Sequence, residues 1–105
     1  MVGLIVIAAG LRVSRSTALQ LTDTMPDDRL IDQIRAAAMA VSEVRGVEKC
    51  FARKTGLKYH VDLHLEVDPE MTVRQSHQLA HDVKLHIMKK LDWVADVLVH
   101  VEPAP

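Results

Sequence analysis

The sequence predicts an α+β fold, with two helices on one face of a three-stranded sheet in the order helix, strand, strand, helix, strand, and an apolar helix ahead of them. Three observations predict it. Lys58 to Val67 alternates apolar and polar side chains without error, the period-two signature of a strand with one sealed and one wet face. Residues 28–44 and 72–91 repeat their apolar positions at three and four, as helices with one buried stripe do. Ala95 to Glu102 alternates again and is separated from the 58–67 strand by a helix. Such a crossover is parallel and right-handed in nearly every case, so these two strands pair directly.

Met1 to Leu11 is apolar throughout and stops at Arg12 and Arg15. It is shorter than the about 20 residues that span a bilayer, and a signal peptide would carry its cations before the apolar run. Two readings remain: a core or interface helix, or the last turns of a membrane helix whose cytoplasmic side Arg12 and Arg15 mark. Pro26, which lacks an amide hydrogen and turns Met25 away from helical angles, breaks the chain. Residues 1–23 are therefore expected to end a transmembrane-like helix, 24–28 to form a linker, and 29–103 to fold as one domain.

From Asp28 to about Val44, Leu30, Ile31, Ile34, Ala37, Ala38 and Val41 mark an amphipathic helix that Gly46 is expected to end. Val47 to Thr55 is a less regular strand, joined through Gly56 to the 58–67 strand as a hairpin. Asp68-Pro69-Glu70 turns the chain, and Thr72 with Gln75 has the spacing of a capping box. Along the helix that follows, Val73, Ala80, Val83, Ile87 and Leu91 form the expected buried stripe, with Leu79 and Met88 at its edges. His77 borders that stripe, His81 lies beyond it, and His86 is expected on the solvated side. The last strand runs up to Pro103. The whole is a two-layer sandwich like a ferredoxin fold lacking its first strand, its open polar face carrying His60, His64 and His100.

Composition narrows the chemistry. The chain of 105 residues carries a formal net charge of −1 and one each of Phe, Trp and Tyr, which argues against nucleic acid as a partner. A single cysteine, Cys50, forms no internal disulfide and fits a reducing compartment. Histidine, by contrast, occurs six times. His64, His100 and Glu102 converge if their strands are neighbours, and imidazoles with a carboxylate are ligands that zinc accepts at about 2 Å. His77 and His81 are spaced i, i+4, so they stack on one helix face. Gln78 stands where a zinc peptidase would place its glutamate, which removes that reading. His77, nearer the stripe, is the better ligand candidate; His81, His60 and Cys50 are possible additional ligands. Cys50 reads first as a small buried hydrophobe and only second as a ligand. Neither a nucleophile elbow nor a phosphate loop occurs, and no catalytic constellation points to an enzyme.

Gly46-Val47, Arg53-Lys54-Thr55-Gly56, Val61 to Val67, Ser76-His77-x-x-Ala80-His81 and Val99-His100-Val101-Glu102-Pro103 together resemble the C-terminal cytoplasmic domain of cation diffusion facilitators. The resemblance runs from about Leu4 to Pro103, and makes Val2 to Leu21 similar to the end of the last transmembrane helix. It implies a homodimeric, zinc-binding domain on the cytoplasmic side of a membrane, coupled to a membrane domain that exchanges divalent cations for protons. On it, His64, His77 and His100 fall at metal-binding positions and Glu102 where some members have aspartate. A first-strand histidine found in some members has no counterpart, only Lys49 and Cys50. The family's transport site lies in membrane helices absent from this chain, so no transport is expected of it alone, whether it is a fragment, a truncated product or a free-standing protein of the cytoplasm. The alternative is a structural homodimerisation module without metal.

Overall fold

The central strand of the sheet is the stretch with the strictest alternation. In the computed structural model, which describes residues 28–105, the elements are α1 (Asp28–Met39), β1 (Gly46–Thr55), β2 (Lys58–Val67), α2 (Val73–Lys90) and β3 (Val94–Pro103). The apolar helix expected over 1–23 and nearly all of the 24–28 linker lie outside the described residues. β2 pairs antiparallel with β1 and parallel with β3, so the order across the sheet is β1-β2-β3. An interior strand has both backbone edges bonded, and its side chains alone decide which face is wet.

Val61, Leu63, Leu65 and Val67 of β2 are buried, as are Cys50 and Ala52 of β1 and Val97 of β3. Against them pack Ile34, Ala37 and Ala38 of α1 and Leu79, Val83 and Ile87 of α2. Both helices therefore cover one face, and among the described residues the core is aliphatic with no charged or polar residue in it. Each buried Leu or Ile contributes roughly 1.5–3 kcal/mol. α2 starts where the spacing of Thr72 and Gln75 predicts: the Thr72 hydroxyl accepts from Gln75 N at 3.1 Å, and the Gln75 side chain accepts from Thr72 N at 3.0 Å.

Two expectations are corrected. α1 ends at Met39, not near Val44, and Gly46 is the first residue of β1 rather than the stop. The reversal is made by Glu43, whose φ of 77° is the left-handed conformation usually left to glycine. It folds Val41 and Val44 back onto the core edge. The buried stripe of α2 is also rotated: Leu79 is buried at its centre, while Val73 is 85% exposed. At 100° per residue, a stripe centred on Leu79, Val83 and Ile87 places His86 about 60° from its middle and His77 about 120° away. Accordingly His86 is half-buried, its Nε2 shielded from solvent, and it lines one pocket with Ala36 and Ala37 of α1 and with Ala40, whereas His77 is exposed. α1 covers a flank of α2 that helical periodicity in one segment cannot reveal.

Replacing Leu63, fully buried on β2, by alanine is expected to lower the unfolding free energy by about 2–5 kcal/mol. Val73→Ala should change it by less than about 0.5 kcal/mol. Urea titrations of the two variants check both.

Candidate metal centre

The open face of the sheet is built in rows by strand register. Lys49, His64 and His100 share one row, Phe51, Asp62 and Leu98 the next, and Arg53, His60 and Asp96 the one after. Because His64 and His100 are direct partners in a parallel pair, their rings stack, with centroids 4.8 Å apart and planes at 27°. Glu102, two residues beyond His100, points to the same side, and its Oε1 lies 2.8 Å from His64 Nδ1.

The first strand adds a residue that alternation assigns to the wrong face. Cys50 and Ala52 point into the core, so Glu48 by the same period should point inward. A bulge between Val47 and Lys49 leaves Glu48 without a register partner and turns it to the open face. Arg35 of α1 donates from Nη1 to the Val47 carbonyl at 2.8 Å, which ties the bulge to the helix layer. One donor atom each from Glu48, His64 and Glu102 then lie within 4.8 Å of one another. Glu66 pairs with Glu102 on one side and with Gly46 on the other. Its carboxylate occupies the room that the glycine leaves, 2.8 Å from where a Cβ would stand.

Hydrogen bonds link the three side chains. Glu102 is held below the usual glutamate range, first by the hydrogen bond from Glu48 and then by that from His64. Glu48 is raised because its carboxyl is the group that gives Glu102 the proton, with desolvation adding to this. An ionised Glu102 can only accept, so His64 Nδ1–H donates to it. Three side chains facing one another through shared hydrogens are a set that a divalent cation fits: it would displace both the Glu48 proton and the hydrogen on the His64 nitrogen facing Glu102, and be held by one imidazole and two carboxylates.

The other candidates from the sequence are placed apart from this cluster. His100 stacks on His64 but is not one of the three converging donors. His77 and His81 are exposed on α2, which packs on the opposite face of the sheet, so His77 does not lean toward His64 within one chain. His60 sits four residues from His64 along β2, about 13 Å away by strand rise, beside Asp96. Cys50 lies opposite Leu63 on the core side, 6% exposed, where burial pushes its thiol up to about 11. Its expected alternative as a small hydrophobe is where the structure puts it, away from the open face. Glu48 was the residue missed; a glutamate in phase with two buried positions was the one sign available in the sequence.

An α+β sandwich with an uncovered sheet face carrying a His-Glu cluster is the class of domain that fold and site define, and comparison with known proteins gives the family. The model of the cation efflux protein cytoplasmic domain matches residues 26–104, and the chain belongs to that family. Among relatives, metal tolerance protein 2 of Oryza sativa subsp. japonica is 29% identical over 96 residues, which are 91% of this chain and 25% of that protein. A probable cation efflux system protein of Mycobacterium tuberculosis is 32% identical, with 98% of this chain and 32% of that protein covered. The chain thus spans about a quarter to a third of the length of these relatives. Among solved structures, a cadmium form of a MamM CTD variant superposes with a TM-score of 0.72 at 29% identity, covering 74% of this chain and 98% of that one. A nickel form of another variant gives 0.72 and 29%, covering 75% and 100%.

The carboxyl pair sets a pH dependence. Stabilisation from the raised group, Glu48, is present below its unfolded value and is lost as pH rises through its folded value. That from the depressed group, Glu102, is present above its unfolded value and is lost as pH falls through its folded value. The contribution of the pair therefore peaks between the two folded values. Glu102→Gln removes the charged acceptor and should bring the Glu48 titration midpoint down toward the ordinary glutamate value. Carbon-13 NMR of the side-chain carboxyls, with and without the substitution, checks this.

Proposed function

We propose that this domain senses a divalent cation, zinc by the chemistry of its donors, and pairs two copies of the chain on the cytoplasmic side of a cation efflux protein. The observation that carries it is the convergence of Glu48, His64 and Glu102 on an uncovered sheet face. His100 joins by turning off the ring of His64, and His77 joins only across an interface between copies. Cadmium and nickel forms of the similar MamM CTD support a transition-metal ligand. Half-exposed Phe51 and Leu98, in the row beside the cluster, support covering of this face by a second copy. Metal binding then favours whichever packing of the two copies brings the donors together, by the difference in affinity between packings. Exchange of the cation for protons belongs to a membrane domain joined to this one, with residues 1–23 as the end of its last helix. A pairing module that binds no metal is the alternative reading.

Zinc at one hundred times its dissociation constant should stabilise the native state by about 2.7 kcal/mol. For a domain of this size that raises Tm by on the order of 10 °C. Calorimetry should show zinc binding that the His64→Ala/His100→Ala pair abolishes. Unchanged affinity in that variant would remove the site, and no thermal shift with zinc would leave the pairing module. Binding measured in buffers of different ionisation enthalpy should release protons, and affinity should fall as pH is lowered.

A further inference from the structure

A net charge of −1 conceals a strongly polarised domain. The metal cluster, with Glu66, Asp68 and Glu70, lies at the end where β2 finishes. At the opposite end the β1–β2 hairpin places Lys54 and Lys58 around a turn whose Leu57 is 94% exposed. Strand register brings the start of β3 to the start of β2, through Tyr59–Val94 pairing and a Tyr59 N to Trp93 O hydrogen bond of 2.9 Å. α2 therefore delivers its terminal Lys89 and Lys90 to this same end. Among the described residues none of these four lysines makes an ion pair, and the acids on the segments that reach this end are Asp28, Asp32 and Asp92.

Two further features are those of a bilayer contact. Tyr59 and Trp93 pack edge to face, with centroids 5.5 Å apart, so two of the chain's three aromatic rings lie half-buried at this end, against the edge of the core. Trp and Tyr favour the headgroup level of membranes. The chain also enters the domain here. α1 runs antiparallel to α2, with Gln33 beside Lys90 and Ser42 beside Arg74, so Asp28 is at the lysine end. The sequence leading to it contains the apolar stretch Met1–Leu11 with Arg12 and Arg15.

We propose that this end of the domain, with Lys54, Leu57, Lys58, Lys89, Lys90 and Trp93, docks on the surface of an anionic lipid bilayer, the leucine entering the headgroup layer and the lysines facing lipid phosphates. The inference rests on the proposed placement of the chain at a membrane and deepens it. It is independent of the metal cluster at the other end, so calorimetry with zinc judges that reading separately.

Trp93 is the chain's sole tryptophan and reports directly. The full chain is reconstituted in vesicles of phosphatidylcholine with brominated acyl chains, with and without phosphatidylserine. The expected result is quenching and a blue shift of Trp93 emission that need phosphatidylserine and disappear in 1 M salt, where the Debye length is about 3 Å. Each lysine removed should lower the docked-to-undocked ratio about fivefold, so Lys54→Gln/Lys58→Gln should lower it about 25-fold. Leu57→Ser should reduce the quenching with charge unchanged. These positions are exposed, and far-UV circular dichroism confirms that the variants fold. Emission that is the same in both lipid mixtures overturns the proposal and leaves this end to an acidic protein surface. Quenching that survives in the lysine variant overturns it as well, because the apolar N-terminal stretch would then account for the contact.

Discussion

The register of β2 against β3 is the constraint on which the rest of the structure depends. Side chains alternate along a strand, so a slip of one residue would turn His100 and Glu102 toward the helices and put Val99 and Val101 in water. Burial prevents the slip: Leu63 and Leu65 are fully enclosed, and their partners Val99 and Val101 lie at the edge of the same core. Aliphatic packing on one face thus places two imidazoles side by side on the other. The polar face needs no stabilising interaction of its own to be assembled, and it can hold groups that repel one another.

Glu48 shows what that freedom allows. Two glutamates beside a histidine, with Glu66 paired across the sheet to one of them, are an unfavourable gathering of charge unless protons or a cation lie between them. The bulge in β1 turns one of these carboxylates outward, and Arg35, bonded to the Val47 carbonyl, links the helix layer to that distortion. Packing of α1 on the sheet and placement of a donor are therefore mechanically connected. A cation held by Glu48 would act on a strand irregularity that the helix layer already holds in position.

The two ends of the domain have opposite character. Strand ends in a two-layer sandwich place loops at two poles, and here one pole gathers carboxylates and the other lysines. Separation of the poles by the length of the strands, about 30 Å for ten residues, is several Debye lengths at physiological salt. The ends can therefore meet different partners without electrostatic interference, as the proposed bilayer contact at the one and the proposed cation site at the other require.

Sequence alone determined the elements whose pattern is local. The unbroken alternation of Lys58–Val67 gave β2 to the residue, the Thr72–Gln75 spacing gave the start of α2, and the crossover rule gave the parallel pairing that joins His64 to His100. Three things were decided by tertiary structure. The end of α1 depends on Glu43 accepting a left-handed conformation, because Val41 and Val44 are drawn back to the core. The buried stripe of α2 depends on a second neighbour, α1, which covers His86 and leaves His77 outside. Glu48 reaches the open face through a bulge, and a period of two, which is all a strand shows in one dimension, carries no trace of a residue inserted against its partner.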